Sequence, residues 1–187
     1  MKKIAVLFSG TGSNLEYILK NLHQKEDIEV VVALTNRADA GGIVFAKEHA
    51  IPLEIIESKS YPTRESFDEQ VVQCLDRYSI DLAVLAGFMR ILTPVFTEQI
   101  KAINLHPSLL PRHKGLQAIE RSYADEHPQG GVSVHWVTSE LDAGEIILQK
   151  KVDKAQLSFD MYESEVRVIE KIALVEAIKK VLNTNVL

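Results

Sequence analysis

Cysteine is almost absent. The single Cys74 cannot form an internal disulfide, and it stands among Val71, Val72 and Leu75 in an expected helix with no histidine near it in sequence. That setting reads as a buried core thiol rather than a nucleophile, and one Cys with scattered His supplies no structural zinc pattern. Long apolar runs are missing too: none approaches the ~20 residues that cross a bilayer. The run over residues 4–8, behind Met1-Lys2-Lys3, is too short for a signal-peptide core and leads into a glycine loop. A cytoplasmic protein is expected. Positive charge is not in excess; the formal net charge of −5 argues against general nucleic-acid or membrane-surface binding and leaves open only local basic pockets.

What is present is ordinary for a soluble globular protein. The chain has 187 residues, 46% hydrophobic and 25% charged, enough for one domain with a full-sized core. Ile4-Ala5-Val6-Leu7-Phe8 is an uninterrupted apolar strand of the kind covered on both faces in a parallel sheet. It ends in Ser9-Gly10-Thr11-Gly12-Ser13-Asn14, after which Leu15, Ile18, Leu19 and Leu22 recur at helical spacing, with Asn14 or Ser13 placed to cap. Residues 30–34, 51–56 and 82–86 read as further strands, and 38–50 and 63–78 as helices, the latter with Phe67, Val71, Cys74 and Leu75 on one face. This β-α-β-α rhythm predicts right-handed crossovers and a parallel sheet. No linker, repeat or low-complexity tract interrupts this half.

Beyond Asn104 the pattern changes. Residues 119–124 read as a short helix, His127-Pro128-Gln129-Gly130-Gly131 as a turn, and 132–137 and 146–152 as two extended runs forming an antiparallel edge around Glu140-Leu141-Asp142-Ala143-Gly144. Ser158-Phe159-Asp160 starts one long helix marked by Val166, Ile169, Ile172, Ala173, Val175, Ile178 and Val181. The expected fold is a single α/β domain over residues 1–187, a mostly parallel twisted sheet with helices on both faces.

Three stretches bear chemistry. The Gly10–Asn14 loop lies where a helix N-terminus offers free amides to an anion. It is not a dinucleotide fingerprint, because Leu15 stands where glycine or alanine is required and Thr35-Asn36-Arg37 supplies no acidic ribose ligand. Nor is it a P-loop, lacking the Gly-Lys-Ser/Thr ending. A phosphate cradle of backbone amides plus Ser13 and Asn14, and a plain tight turn with a capping Asn, both fit. Asn104-Leu105-His106-Pro107-Ser108-Leu109-Leu110-Pro111 puts an amide and an imidazole on one strand face, roughly 6.5–7 Å apart, and then stops the strand with proline. Such a pair suits an oxygen gaining negative charge at a carbonyl; a polar strand end satisfied by backbone groups is the alternative. A cis Leu110-Pro111 peptide would suit the tight loop. Asp142 is either an exposed turn aspartate or, beside His106, a carboxylate that stabilises the imidazolium. His135 shares a strand face with Ser133 and reads as a satisfied structural histidine. Arg90 follows the fourth strand, where open α/β sheets bind ligands, and fits a polar heterocycle or an ordinary surface.

Taken together and in order, Ser9-Gly10-Thr11-Gly12-Ser13-Asn14, Ala86-Gly87-Phe88-Met89-Arg90-Ile91-Leu92, the Asn104–Pro111 stretch and Leu141-Asp142-Ala143-Gly144 carry a resemblance. The chain resembles the phosphoribosylglycinamide formyltransferases, folate-dependent transformylases of purine biosynthesis, from its first strand through its C-terminal helix. His-Pro-Ser-Leu-Leu-Pro marks the wider formyl-folate group, and the Gly-Ser-Asn loop narrows it. The resemblance implies a Rossmann-like formyltransferase fold. It implies that Gly12, Ser13 and Asn14 hold the ribose phosphate of glycinamide ribonucleotide, and that Met89, Arg90, Ile91 and Leu92 form the pterin side of a folate site, with Arg64 a further folate contact. Asn104, His106 and Asp142 are the implied catalytic trio, Asn104 also touching folate. Glu170 is similar to a helix glutamate that contacts the ribonucleotide, although Lys171-Ile172-Ala173-Leu174 follow it where the family has His and then Tyr-Pro.

The implied reaction is direct transfer of formyl from 10-formyltetrahydrofolate, a co-substrate, to the glycinamide amine, with no metal. The implied partners are those two small molecules, without nucleic acid or membrane, and the protein is expected to act as a monomer or homodimer. Three other readings compete. A 10-formyltetrahydrofolate hydrolase shares the Asn-x-His and Asp pattern but is expected to carry a preceding regulatory domain, whereas Met1 leads directly into the first strand. A methionyl-tRNA formyltransferase is expected to carry an RNA-binding domain beyond Leu187 and a less acidic charge. A non-catalytic folate- or nucleotide-binding module has no need of all three of Asn104, His106 and Asp142.

Overall fold

The computed structural model describes residues 1–183; the last four residues of the span expected to be one domain lie outside the described residues. The strands form a seven-stranded sheet of order β3-β2-β1-β4-β5-β6-β7, in which β1 is Lys2–Phe8, β2 Ile28–Thr35, β3 Leu53–Ile55, β4 Leu82–Leu85, β5 Ala102–His106, β6 Gln129–Trp136 and β7 Ile146–Asp153. By compactness the chain divides after Ile103 into two units.

In the first unit β1 pairs in parallel with β2 and β4, and β2 with β3. Residues 4–8 of β1 and all of β4 are buried, as uninterrupted apolar strands covered on both faces must be. Helices α1 (Ser13–Asn21), α2 (Ile43–Glu48), α3 (Arg64–Asp76) and α4 (Pro94–Thr97) follow the strands. Thr63 starts α3 through a capping box: its hydroxyl accepts the Ser66 N–H at 3.0 Å, and the Ser66 hydroxyl accepts the Thr63 N–H at 3.2 Å. Cys74 is buried in α3, and burial first, then the Glu54 charge, pushes its thiol up to about 11. That is an inert core thiol.

Two expectations in this unit need correction. The helix expected over 38–50 is only Ile43–Glu48. Gly41 and Gly42 weaken the helix there, and the Gly42 amide is drawn instead to the Gly10 carbonyl at 3.1 Å. Neither Ser13 nor Asn14 caps α1. Gly12 takes the N-cap position in the left-handed region (φ 75°), and no side chain caps the helix. A Cβ on Gly12 would run into the Gly42 Cα, so glycine is required both by φ and by space.

In the second unit β6 and β7 pair antiparallel, from Gln129 opposite Asp153 to Val134 opposite Leu148, with a register shift before His135. β7 is half exposed and bears Lys150 and Lys151, charges that discourage further strand addition. The turn expected at 127–131 is shorter, because Gln129, Gly130 and Gly131 already belong to β6. The glycines are there for close packing: a Cβ on Gly130 would overlap the Tyr162 hydroxyl. Helix α5 (Ala118–Ala124) and the long α6 (Phe159–Asn183) complete the unit. The α6 stripe that packs against β6 and β7 runs Tyr162, Val166, Glu170, Ala173, Leu174, Ala177, Ile178. Ile169 and Ile172, expected on that face, are half-buried at its margin.

One buried polar contact fixes the chain just past Arg90. Asp68 on α3 is 1% exposed, and its Oδ2 accepts both the backbone N–H and the hydroxyl of Thr93 at 2.7 Å each. Asp68→Ala leaves both Thr93 donors buried and unpaired, an expected loss of roughly 2–4 kcal/mol. Urea unfolding checks this; an unchanged midpoint would show that water replaces the carboxylate without cost.

Candidate active site

The first unit carries two loops at the carboxyl ends of β1 and β4, where open α/β sheets bind ligands. Ser9 ties the ends together. Its hydroxyl donates to Asn36 Oδ1 at 2.6 Å and accepts the Met89 N–H at 2.8 Å, while its own N–H reaches the Gly87 carbonyl at 3.0 Å. Beyond Gly12, the first helical bond of α1 runs from Glu16 N–H to the Gly12 carbonyl, so the amides of Ser13, Asn14 and Leu15 lie in the turn that offers donors to an anion. Asn14 Oδ1 is buried with no hydrogen-bond partner, an amide end with capacity to spare. In the second loop Arg90 lies with its guanidinium carbon 4.9 Å from the Phe67 ring centre, and its Nε is buried and unpartnered. Phe67 stacks on Phe88 at 6.5 Å. Met89 and Ile91 are exposed while Leu92 is buried, so these four expected folate residues present two apolar side chains and a braced cation. Arg64 is exposed in the first turn of α3, three residues before Phe67.

The second unit gathers the polar strand end. Alternation along β5 separates Asn104 and His106 from Leu105. His106 is buried; its Nδ1 lies 3.4 Å from Asp142 Oδ2, and its Nε2 donates to the His113 carbonyl at 2.8 Å. A carbonyl can only accept, so Nε2 carries a proton and Nδ1 is the nitrogen left to gain or lose one. Asp142 occupies the turn between β6 and β7 with φ 51°, a conformation Asp tolerates better than most residues. Its Oδ2 also accepts the Gly115 N–H at 2.9 Å, and its Oδ1 lies 3.5 Å from His135 Nε2. Burial pushes the Asp142 carboxyl up; the hydrogen bonds from His135 and the Gly115 amide and the charges of His106 and His135 outweigh it, so the group is held below its ordinary value. It is ionised at neutral pH.

His135 is the residue that sequence reasoning undervalued. Read as structural, it lies against both Asp142 and Asn104, whose Nδ2 is 3.3 Å from His135 Nε2. Its Nδ1 donates to the Trp136 carbonyl at 2.9 Å, so Nε2 serves one partner at a time. Protonated, it donates to Asp142; unprotonated, it accepts from Asn104. The signal was present in the alternation of β6, which puts Ser133 on the face of His135. The Ser133 hydroxyl donates to the Ser108 carbonyl at 2.7 Å and accepts the Leu110 N–H at 3.0 Å, bracing the proline loop in which Leu110-Pro111 is cis. Gln149 adds bonds of 2.9 Å to the Leu110 carbonyl and to Ser133 Oγ. Glu170 stands within the buried stripe of α6, where Arg167 Nη1 pairs with it at 3.2 Å. Among the described residues no group of three or more His, Cys, Asp or Glu is arranged to hold a metal ion, and no helix is long and apolar enough to cross a membrane.

An imidazole and an amide on one strand end, with an ionised carboxylate from the β6–β7 turn beside the imidazole, are equipment for carbonyl chemistry, and the family model for formyl transferases matches residues 2–178. The chain belongs to the formyl transferase family. It is 41% identical over 155 residues to the phosphoribosylglycinamide formyltransferase of Haemophilus influenzae, covering 81% of this chain and 73% of that protein. The Escherichia coli K12 protein of the same name is 40% identical, covering 80% and 72%. The crystal structure of phosphoribosylglycinamide formyltransferase from Campylobacter jejuni superposes with a TM-score of 0.95 at 49% identity over 97% of this chain and 98% of that one. This formyltransferase is therefore an enzyme of one-carbon transfer, and its family draws the formyl group from a folate-derived donor.

The depressed Asp142 carboxyl has a consequence for acid stability. Its charge stabilises the fold fully above the unfolded-state value of ~3.9, and that contribution is lost as pH falls through this value toward the lower folded one. Asp142→Asn keeps the shape and tolerates the positive φ but has no charge to lose. Between about pH 5 and about pH 3 the urea midpoint of the unsubstituted protein should therefore fall more steeply than that of the variant. Parallel falls in the two proteins would mean that the carboxylate gains nothing from its neighbours.

Proposed function

We propose that this formyltransferase moves the formyl group of 10-formyltetrahydrofolate directly onto the amine of 5-phosphoribosylglycinamide, in purine biosynthesis. The observation that carries the mechanism is the buried approach of His106 Nδ1 to the ionised Asp142 carboxylate at 3.4 Å. The names of the relatives support the choice of substrates.

In this reading the glycinamide amine attacks the formyl carbon. A carbon–nitrogen bond forms, and the carbonyl π pair moves onto oxygen. In its protonated form His106 stands beside the developing oxyanion with the Asp142 carboxylate facing its Nδ1, and the Asn104 amide supplies a second donor. The oxygen pair then returns and the bond from carbon to folate N10 breaks. The amine gives up one proton and N10 takes one; water held against Asp142 is the proposed relay. The products are the formylated amide and tetrahydrofolate, and atoms and charge balance without an oxidant.

The remaining residues bind. Gly12, Ser13 and Asn14 hold the ribose phosphate, which suits the helix-end amides of α1 and the unpartnered Asn14 amide oxygen once that amide is turned to present its N–H₂. Met89, Arg90, Ile91 and Leu92 receive the pterin, and the unpartnered Arg90 Nε suits a polar heterocycle. Arg64 is a further folate contact and Glu170 a contact to the ribonucleotide. The enzyme works in the cytoplasm on small molecules, without nucleic acid, as a monomer or homodimer and as a single domain.

Asp142→Asn is expected to lower kcat by a hundredfold or more, on the scale of losing one preorganised electrostatic group, and to change the KM for the folate little. Steady-state kinetics with and without glycinamide ribonucleotide checks both parts. Near-normal kcat in the variant contradicts the role of Asp142, and folate deformylation without the amine would make the protein a hydrolase.

A further inference from the structure

His106 Nε2 is tied to a backbone carbonyl in the loop that follows β5, and that carbonyl belongs to a residue with an anchor of its own. His113 adopts φ 56°, a region disfavoured for residues with a Cβ and in which His is nevertheless enriched. Its ring Nε2 reaches Asp125 Oδ2 at 2.6 Å. Asp125 closes α5 and is held from several sides. Lys154 Nζ donates to Asp125 Oδ1 at 2.7 Å and to the carbonyls of Ser122 at 2.7 Å and Asp125 at 3.0 Å. The His127 N–H reaches Asp125 Oδ1 at 2.9 Å, and Arg112 Nη1 lies 3.6 Å from Oδ2. The Lys154 and Asp125 side chains are only 10% and 16% exposed. Lys154 also satisfies the last carbonyls of α5, so the anchor is part of the helix terminus.

This cluster has no part in the reaction described above, yet its geometry leads to it. From the Lys154 ammonium the bonds run to the Asp125 carboxylate, to the His113 ring, through one residue's backbone to the His113 carbonyl, and so to His106 Nε2. We infer that Asp125, acting through the His113 ring, is a positioning residue: it holds the His113 carbonyl against His106 Nε2 and thereby fixes which imidazole nitrogen faces Asp142. The inference rests on the reading of His106 as the catalytic imidazole. Without the anchor the loop is held by the Ser108 hydroxyl, which donates to the Arg112 carbonyl at 2.5 Å and only at 3.5 Å to that of His113; the His113 carbonyl then shifts, and the ring loses the well-placed acceptor that distinguishes its two nitrogens. Misplacement of a reacting group by about 1 Å can cost on the order of a hundredfold in rate.

The test uses Asp125→Asn with a pair of substitutions at His113. His113→Asn keeps a residue at home at positive φ but is too short to reach Asp125; His113→Gln places an amide N–H where the imidazole Nε2–H was. Two readouts are taken on each folded variant: kcat and KM for both substrates, and the nitrogen-15 and proton NMR signals of the His106 ring, assigned by their loss in His106→Asn. Asp125→Asn and His113→Asn should lower kcat roughly 10- to 100-fold with KM changed less than about threefold, and should shift the His106 Nε2–H signal or broaden it by exchange. His113→Gln should restore both. A loss of stability alone would leave the His106 signals in place and would be repaired by neither His113 residue in particular. Unchanged His106 signals in Asp125→Asn and His113→Asn overturn the inference whatever the kinetics show. If His106→Asn itself retains kcat, the catalytic reading fails instead, while the NMR result still decides the positioning.

Discussion

A buried ionised carboxylate has to be compensated by charge or hydrogen bonds, because left alone it costs several kcal/mol. Asp142 carries that constraint for the second unit. Its two oxygens are divided: Oδ2 faces His106 and the Gly115 amide, Oδ1 faces His135. The partners come from β5, from the loop after it and from β6, so neutralising one side chain fixes three separate segments. A carboxylate held on both oxygens cannot rotate. The placement of His106 is thus a consequence of satisfying a charge.

The first unit solves a different problem with a neutral residue. Its two loops leave the ends of β1 and β4, and loops at such positions are free to vary. Ser9 removes much of that freedom by bonding to two other segments at once, through its amide to Gly87 and its hydroxyl to Met89 in the loop after β4, and through the same hydroxyl to Asn36 after β2. A hydroxyl both donates and accepts, which is why a serine rather than an alanine ends this apolar strand. Asp68 does the same for Thr93 a few residues beyond Arg90. The Arg90 loop is therefore braced on both sides while its Met89 and Ile91 side chains remain exposed.

The parallel strands were legible because burial on both faces leaves an unmistakable apolar run, as in β1 and β4. The long C-terminal helix was legible through its 3.6-residue repeat. What misled was glycine. Gly41-Gly42 lay inside an apparent helix that actually starts after them, and Gly130-Gly131 looked like a turn but lies in β6, where Tyr162 needs the space at Gly130 and the Lys150 carbonyl the space at Gly131. Both outcomes depend on what packs against the backbone, which no local pattern records. The strand end of Asn104 and His106 was legible from alternation and the proline stop, and so was the face His135 shares with Ser133, but the approach of Asp142 to His135 at 3.5 Å was not. Alternation cannot say which side chain a distant turn brings to that face, so the partner of His135 belonged to tertiary structure.

The two nitrogens of His106 face unlike partners, and the difference has chemical weight. The His113 carbonyl can never give up a proton, so Nε2 keeps its own in every state of the ring. Asp142 is negative and stands slightly beyond ordinary hydrogen-bond reach at 3.4 Å. A proton on Nδ1 is attracted there without being locked in the short, well-aligned bond that would hold it from a substrate. Catalytic contacts are often loose before the ligand arrives and tighten around it. A ring fixed at one nitrogen by a carbonyl and faced at the other by a carboxylate keeps one orientation and one assignment of its two nitrogens.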